Sequence, residues 1–161
     1  MTSLHQTETA RQAVGELQQA LDQLPSRQRL SDADIQAIYA LAYTSVAQGR
    51  FEDARDQFSL LTLYRPTHPA CLAGLALSDK LLRRYGEAQQ VFAFLAVLEP
   101  ANPAHSIGLA ECQLLAGEYD AALSTLGLVQ AFCEENAGHA RSAARAQALM
   151  QFLSPGAPPA R

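Results

Sequence analysis

The sequence predicts an all-α chain, an α-solenoid of tandem helix pairs, and three observations carry that prediction. Residues recur with a period of 34 in seven columns that share one phase. Within each period small and bulky apolar residues follow the helical spacing, and prolines stand where two of the periods close, at Pro66 and Pro100. The other columns are Leu41, Leu75 and Leu109; Ala42, Ala76 and Ala110; Phe51, Tyr85 and Tyr119; Ala54, Ala88 and Ala122; Phe58, Phe92 and Leu126; and Leu61, Leu95 and Val129. A fixed period of this length marks stacked supersecondary units that bury a continuous core between neighbours.

The elements follow in order. Ala10, Ala13, Val14, Leu17, Ala20, Leu21 and Leu24 recur at helical spacing until Pro25, which makes residues 1–30 an amphipathic helix and linker. Ser31 with Asp34 three residues later resembles a capping box, so the next helix should start near residue 32. Helix pairs are expected at about 33–48 and 51–64, 69–83 and 85–98, and 103–116 and 119–133, giving three repeats over residues 31–134. Ala140, Ala144, Leu149 and Phe152 imply a capping helix from about 137, within a segment spanning 135–153. The remainder, 154–161, carries Pro155, Gly156, Pro158 and Pro159 and reads as a disordered tail.

Each column has a physical reason. Alanine at 42, 76 and 110, and at 54, 88 and 122, lets two helices approach closely, because a larger side chain would lift ridges out of grooves. The bulky residues at 58, 92 and 126 fill the space beside them, and the prolines end the second helix by removing an N–H donor. Gly49 and Gly117 supply permissive backbone at two turns. Arg83 interrupts that column and Gly86 follows it, so this turn should be shaped differently. A Leu-Ala pair, a second small residue, an aromatic four positions later and a closing proline form the tetratricopeptide-repeat pattern.

Composition narrows the function. A net charge of −4 argues against a nucleic-acid or anionic-membrane binder, since only Lys80, Arg83 and Arg84 cluster. The start of the chain lacks a basic-then-apolar leader and no apolar run is long enough to span a bilayer, so a cytoplasmic location is expected. Cys71, Cys112 and Cys133 show no metal or disulfide spacing and read as buried thiols. His5, His68, His105 and His139 do not pair at helical spacing, so no metal, cofactor or catalytic group is expected.

With the packing columns removed, the first helices retain one strip. Tyr39, Tyr43 and Val46 share a face; adding 34 gives Ala73, Leu77 and Lys80, and adding 34 again gives Ile107, Glu111 and Leu114. This mostly apolar strip with one cation and one anion is the candidate peptide-binding groove. Tyrosine suits it, combining an apolar face with a polar tip. The two tyrosines could instead be core residues covering the upstream helix.

Two stretches also resemble the LcrH/SycD-type (class II) chaperones of bacterial type III secretion systems. They are Ile38-Tyr39-Ala40-Leu41-Ala42 through Gln48-Gly49-Arg50-Phe51-Glu52-Asp53-Ala54 to Phe58 and Leu61, and Ala110-Glu111-Cys112-Gln113-Leu114-Leu115-Ala116-Gly117-Glu118. The resemblance implies a cytoplasmic chaperone, not an enzyme, that holds hydrophobic translocator proteins by an extended N-terminal segment and keeps them soluble and competent for secretion. Tyr39 and Tyr43 match groove positions of that family. Val46 and Ser78-Asp79-Lys80 depart from it. The resemblance also implies a homodimer, which the apolar stripe Val14, Leu17, Leu21 and Leu24 would serve; the stripe could instead fold back on its own chain. The alternative is a scaffold or regulatory protein of the same repeat class in secretion-apparatus or pilus assembly.

Overall fold

The computed structural model of the chain describes residues 30–153 together with Gln12 and Glu16. The expected N-terminal helix, with Val14, Leu17, Leu21 and Leu24, and the expected tail 154–161 lie outside the described residues. The described residues form α1 (Asp32–Ala47), α2 (Phe51–Tyr64), α3 (Pro69–Leu81), α4 (Tyr85–Leu98), α5 (Pro103–Leu115), α6 (Tyr119–Glu135) and α7 (Ala140–Leu153). The fold is all-α and built of tetratricopeptide repeats. It divides into two compact units, Met1–Leu82 with α1–α3 and Arg83–Arg161 with α4–α7.

In the first unit α1 starts where the sequence places it. The Ser31 hydroxyl oxygen accepts from the Asp34 N–H at 3.2 Å while the Asp34 carboxylate accepts from the Ser31 N–H at 3.0 Å. These bonds satisfy two backbone donors that a helix start leaves open. The Ser31 hydroxyl, donating to the Asp34 carboxylate at 2.6 Å, and then the Ser31 N–H hold that carboxyl below the usual carboxylate range. α1 closes at Gly49, whose φ of +74° lets Gly49 N–H reach the Val46 carbonyl and Arg50 N–H the Ser45 carbonyl. Ala42 and Ala54 are fully buried, as the close-approach argument requires, and sit with Ile35, Phe58, Leu61 and Cys71 in one core. The leucine column behaves differently: Leu41 is 49% exposed and Leu75 only half-buried.

Asp79, in the string Ser78-Asp79-Lys80, is 2% exposed and receives a 2.6 Å hydrogen bond from Arg55 Nε. That ion pair ties α2 to α3 and raises the pKa of the Arg55 guanidinium.

In the second unit the core is Ile107, Ala110, Leu126, Val129 and Ala146, with Leu149, Met150 and Leu153 against it. α5 starts at Asn102, whose side chain accepts from Ala104 N–H at 3.2 Å, and Pro103 fills a first-turn position where no donor is needed. His105 is 8% exposed and contacts the Glu99 carboxylate at 2.7 Å, a contact that holds the Glu99 carboxyl below its usual range. α6 runs on through Glu134 and Glu135, so the capping helix starts at Ala140, a few residues later than the spacing implied. Its buried face also differs. Ala146, Leu149, Met150 and Leu153 meet the core, whereas Ala140 and Ala144 are exposed and Phe152 is 79% exposed.

The turn at Arg83 corrects an expectation. Arg83 takes a φ of +62°, the same left-handed backbone as Gly49 and Gly117, so the column keeps its conformation and Gly86 lies within α4. A side chain in that region costs roughly 1–2 kcal/mol. Arg83→Gly should therefore stabilise the chain by about 1 kcal/mol and raise the melting temperature by about 3 °C, after part of the gain is offset by glycine's larger unfolded-state entropy. A melting temperature at or below that of the parent would contradict it.

A candidate peptide-binding face

The two tyrosines of α1 are placed by what lies beneath them. Tyr39 and Tyr43 are one turn apart, with ring centroids 4.8 Å apart and the Tyr39 hydroxyl donating to the Tyr43 hydroxyl at 3.3 Å. Both rings stand edge-on to Phe58, Tyr43 at 5.3 Å and Tyr39 at 6.2 Å. Phe58 is fully buried, and a Cβ built on Gly74 would come within 2.3 Å of its ring. Glycine at 74 thus lets α3 close onto Phe58, and Phe58 supports the tyrosine pair. The same fit recurs one period later, where a Cβ on Gly108 would meet the Phe92 ring at 2.6 Å.

Tyr43 is 41% exposed and Tyr39 half-buried. Burial, then the bond to Tyr43, push the Tyr39 phenol above its usual range, so it stays a neutral donor across physiological pH. Beside it opens a cavity of about 510 Å³ lined by Ile35, Gln36, Tyr39, His68 and Cys71 with the ion-paired Asp32 and Arg65. The volume lies within the range of ligand-binding clefts. Burial raises the pKa of the Cys71 thiol, which makes it a wall rather than a nucleophile. Val46 packs half-buried on the same core, and Ala73, Leu77 and Lys80 are half-buried on α3.

In the second unit the three strip residues differ in kind. Ile107 is 4% exposed and belongs to the core, because α5 buries that face against α6 and α7. Glu111 is held by Arg145 of α7, whose Nε donates at 2.7 Å. Leu114 is half-buried and lines a cavity of about 370 Å³ with Glu111, Leu115, Tyr119, Leu149 and Phe152. Sequence reasoning overlooked the last four of these as site residues. The signal was present for Tyr119: it occupies the aromatic column 51, 85, 119, and whereas Phe51 and Tyr85 are half-buried it is 57% exposed.

Among the described residues no group of His, Cys, Asp or Glu could hold a metal ion, and no helix is long and apolar enough to cross a membrane. Among the described residues the arrangement offers pockets with apolar walls and a few polar groups.

Models of tetratricopeptide repeats match residues 37–67 and 82–151. Among solved structures the chain is similar to PcrH from Pseudomonas aeruginosa, at 26% identity over 82% of this chain and 100% of that one, with a TM-score of 0.71. It is also similar to PcrH in complex with the chaperone-binding region of PopD, at 26% identity over 78% of this chain and 94% of that one, with a TM-score of 0.70. The chain is a tetratricopeptide-repeat protein. Its fold matches SycD, the type III secretion translocator chaperone of Yersinia enterocolitica, with a TM-score of 0.68 at 23% identity over 78% of this chain and 86% of that one. No curated protein matches the chain by sequence.

Proposed function

We propose that the chain is a cytoplasmic chaperone that binds an extended segment of a hydrophobic translocator protein and keeps it soluble and competent for secretion. The observation that carries this reading is the supported tyrosine pair beside an open cavity, in a chain similar to PcrH, which has been solved with bound regions of PopD and PopB. Tyr39, Tyr43, Val46, Ala73, Leu77 and Leu114 would take apolar side chains of the client. Lys80 and Glu111 would answer its backbone groups, since an extended peptide brings N–H and C=O groups that need partners. Ile107, buried in the core of the second unit, would act only through the placement of α5. The stripe Val14, Leu17, Leu21 and Leu24 would serve dimerisation. No bond is made or broken, so the chain works as a binding protein and not as an enzyme.

The test is to identify the client by pull-down from the native cytosol and then to compare Tyr43→Ala with Tyr39→Ala. Tyr43 is the more open ring, so its truncation should weaken client binding about tenfold, the scale of an aromatic anchor, while shifting the melting temperature little. Tyr39 packs on the core and should lose both affinity and stability. Full client binding by Tyr43→Ala, or an early melt with unchanged affinity, would return these rings to the core and remove the groove assignment.

A further inference from the structure

The cavity beside Tyr39 has walls of two kinds, and an apolar client segment uses only one of them. Ile35, Tyr39 and Cys71 supply apolar wall, with Ile35 and Cys71 buried. Arg65 and His68 supply basic wall, and the connection between α2 and α3 delivers both: Arg65 closes α2 and His68 precedes α3. Burial raises the pKa of the Cys71 thiol and the nearby Arg65 charge opposes that rise, so the guanidinium acts on the apolar wall as well. Among the described residues lining the cavity the acidic one is Asp32, and Arg65 holds it in an ion pair. The two partners are unequal: the Asp32 side chain is 87% exposed and that of Arg65 32%. Such an ion pair at the surface contributes little stability, so it exchanges readily. Asp32 also lies in the first turn of α1, where the helix N-terminus favours a carboxylate after Arg65 has left it.

We propose that Arg65 determines specificity in this groove: an Asp or Glu side chain of the client replaces Asp32 on its guanidinium, while a neighbouring apolar side chain of the client enters between Ile35, Tyr39 and Cys71. The proposal deepens the client reading and rests on it for the peptide. Charge complementarity selects the occupant, since two basic side chains line the cavity and their one acidic neighbour stands mostly in water. The planar guanidinium presents a fork of donors that matches a carboxylate, and a charge-assisted bond of this kind is stronger than a neutral one. A cavity of about 510 Å³ has the size of a small-ligand cleft, so two client side chains fit together. In an extended segment residues i and i+2 face the same side, which places the acid two positions from the apolar residue. Asp32 is then a built-in competitor. If it were only a staple between the start of α1 and the end of α2, neutralising it would lower stability and gain nothing in binding.

The experiment selects random peptides displayed on phage against the full chain and against its Arg65→Gln, Asp32→Asn and Tyr43→Ala forms. The parent should enrich peptides with Asp or Glu two positions from a large apolar residue, and Arg65→Gln should enrich apolar peptides without the acid. One selected peptide is then labelled and titrated beside its amide counterpart, Asn for Asp or Gln for Glu, by fluorescence anisotropy. The acid form should bind the parent about tenfold more tightly than the amide form, and the two should bind Arg65→Gln alike. Because each protein form sees both peptides, a change in its stability does not imitate this result. If Asp32 holds Arg65 about two-thirds of the time, Asp32→Asn should bind the acid peptide about threefold more tightly. Apolar peptides selected by the parent with no preference for an acid overturn the proposal and leave the groove reading in place. An acid preference that persists in Arg65→Gln overturns it by assigning the contact to another cation, and weaker binding of the acid peptide to Asp32→Asn overturns it by returning the pair to a staple. Peptides that depend on Arg65 but bind Tyr43→Ala at full strength keep the proposal and count against the tyrosine pair as the client anchor. No peptide selected by any form removes the groove reading and the proposal with it.

Discussion

Gly74→Val should destabilise the chain by about 3 kcal/mol, seen as an earlier urea midpoint with unchanged slope. Even a Cβ at this position would lie 2.3 Å from the Phe58 ring, and Phe58 is fully buried. Interiors are close-packed, so the extra volume has to move α3 or the ring. Helix propensity works the other way, since glycine is about 1 kcal/mol worse than alanine in a helix interior, so an estimate from propensity alone has the wrong sign. Displacing Phe58 also disturbs Tyr39 and Tyr43, which rest edge-on against it. Client affinity should therefore fall together with stability. The compensating change is Phe58→Leu, which should recover much of the lost stability in the Gly74→Val background. The chain already contains that exchange: at the third period Leu126 replaces the aromatic and Ser142 replaces the glycine. A melt of Gly74→Val indistinguishable from the parent would mean that α3 and α2 do not approach as closely as described.

That pairing of columns shows where the sequence could be read and where it could not. The alanine columns announced the close approaches, and Ala42, Ala54, Ala76, Ala88, Ala110 and Ala122 are all fully buried. The helix starts at Ser31 and the repeat ends near Pro66 and Pro100 were legible because caps and prolines act locally. The strip was legible as a register but not as an exposure. Adding 34 to Tyr39 and to Ala73 reaches Ile107, yet spacing alone cannot show that α7 closes over that part of the core. For the same reason the helical pattern 140, 144, 149 and 152 placed only Leu149 correctly on the buried side of α7, which is fixed by α5 and α6, while Ala140, Ala144 and Phe152 are exposed. The turn at Arg83 misled because a left-handed residue need not be glycine when the flanking helices determine the backbone.

Arg55→Ala should cost about 3–5 kcal/mol, the largest loss expected from removing a single surface-reaching side chain here. Asp79 has a side chain 3% exposed, and Arg55 is its charge partner at 2.6 Å. Removing Arg55 leaves a carboxylate buried without that partner, and neither water nor a second cation replaces it cheaply. Asp79→Ala should be milder, about 1–2 kcal/mol, because the Arg55 side chain is 26% exposed and its guanidinium can turn to solvent. The register explains why the pair exists. Positions 45, 79 and 113 are the same site in successive repeats, and in the first and third the polar residue reaches the following helix: Ser45 donates to Gln57 at 3.1 Å, and Thr125 donates to Gln113 at 2.9 Å. In the second repeat the matching partner position holds Val91, which offers no hydrogen bond, and Asp79 turns back to Arg55 of the preceding repeat. A double substitution, Arg55→Ala with Asp79→Ala, should therefore be far less damaging than the sum of the singles, with a coupling of about 2 kcal/mol or more by denaturant unfolding. Strict additivity would show that the carboxylate is solvated in the folded chain and that α2 and α3 are held by Phe58 and the alanines alone. Lys80 follows Asp79 in the last turn of α3, so the Arg55 variant should also weaken client binding, and by more than Asp79→Ala if α3 has shifted.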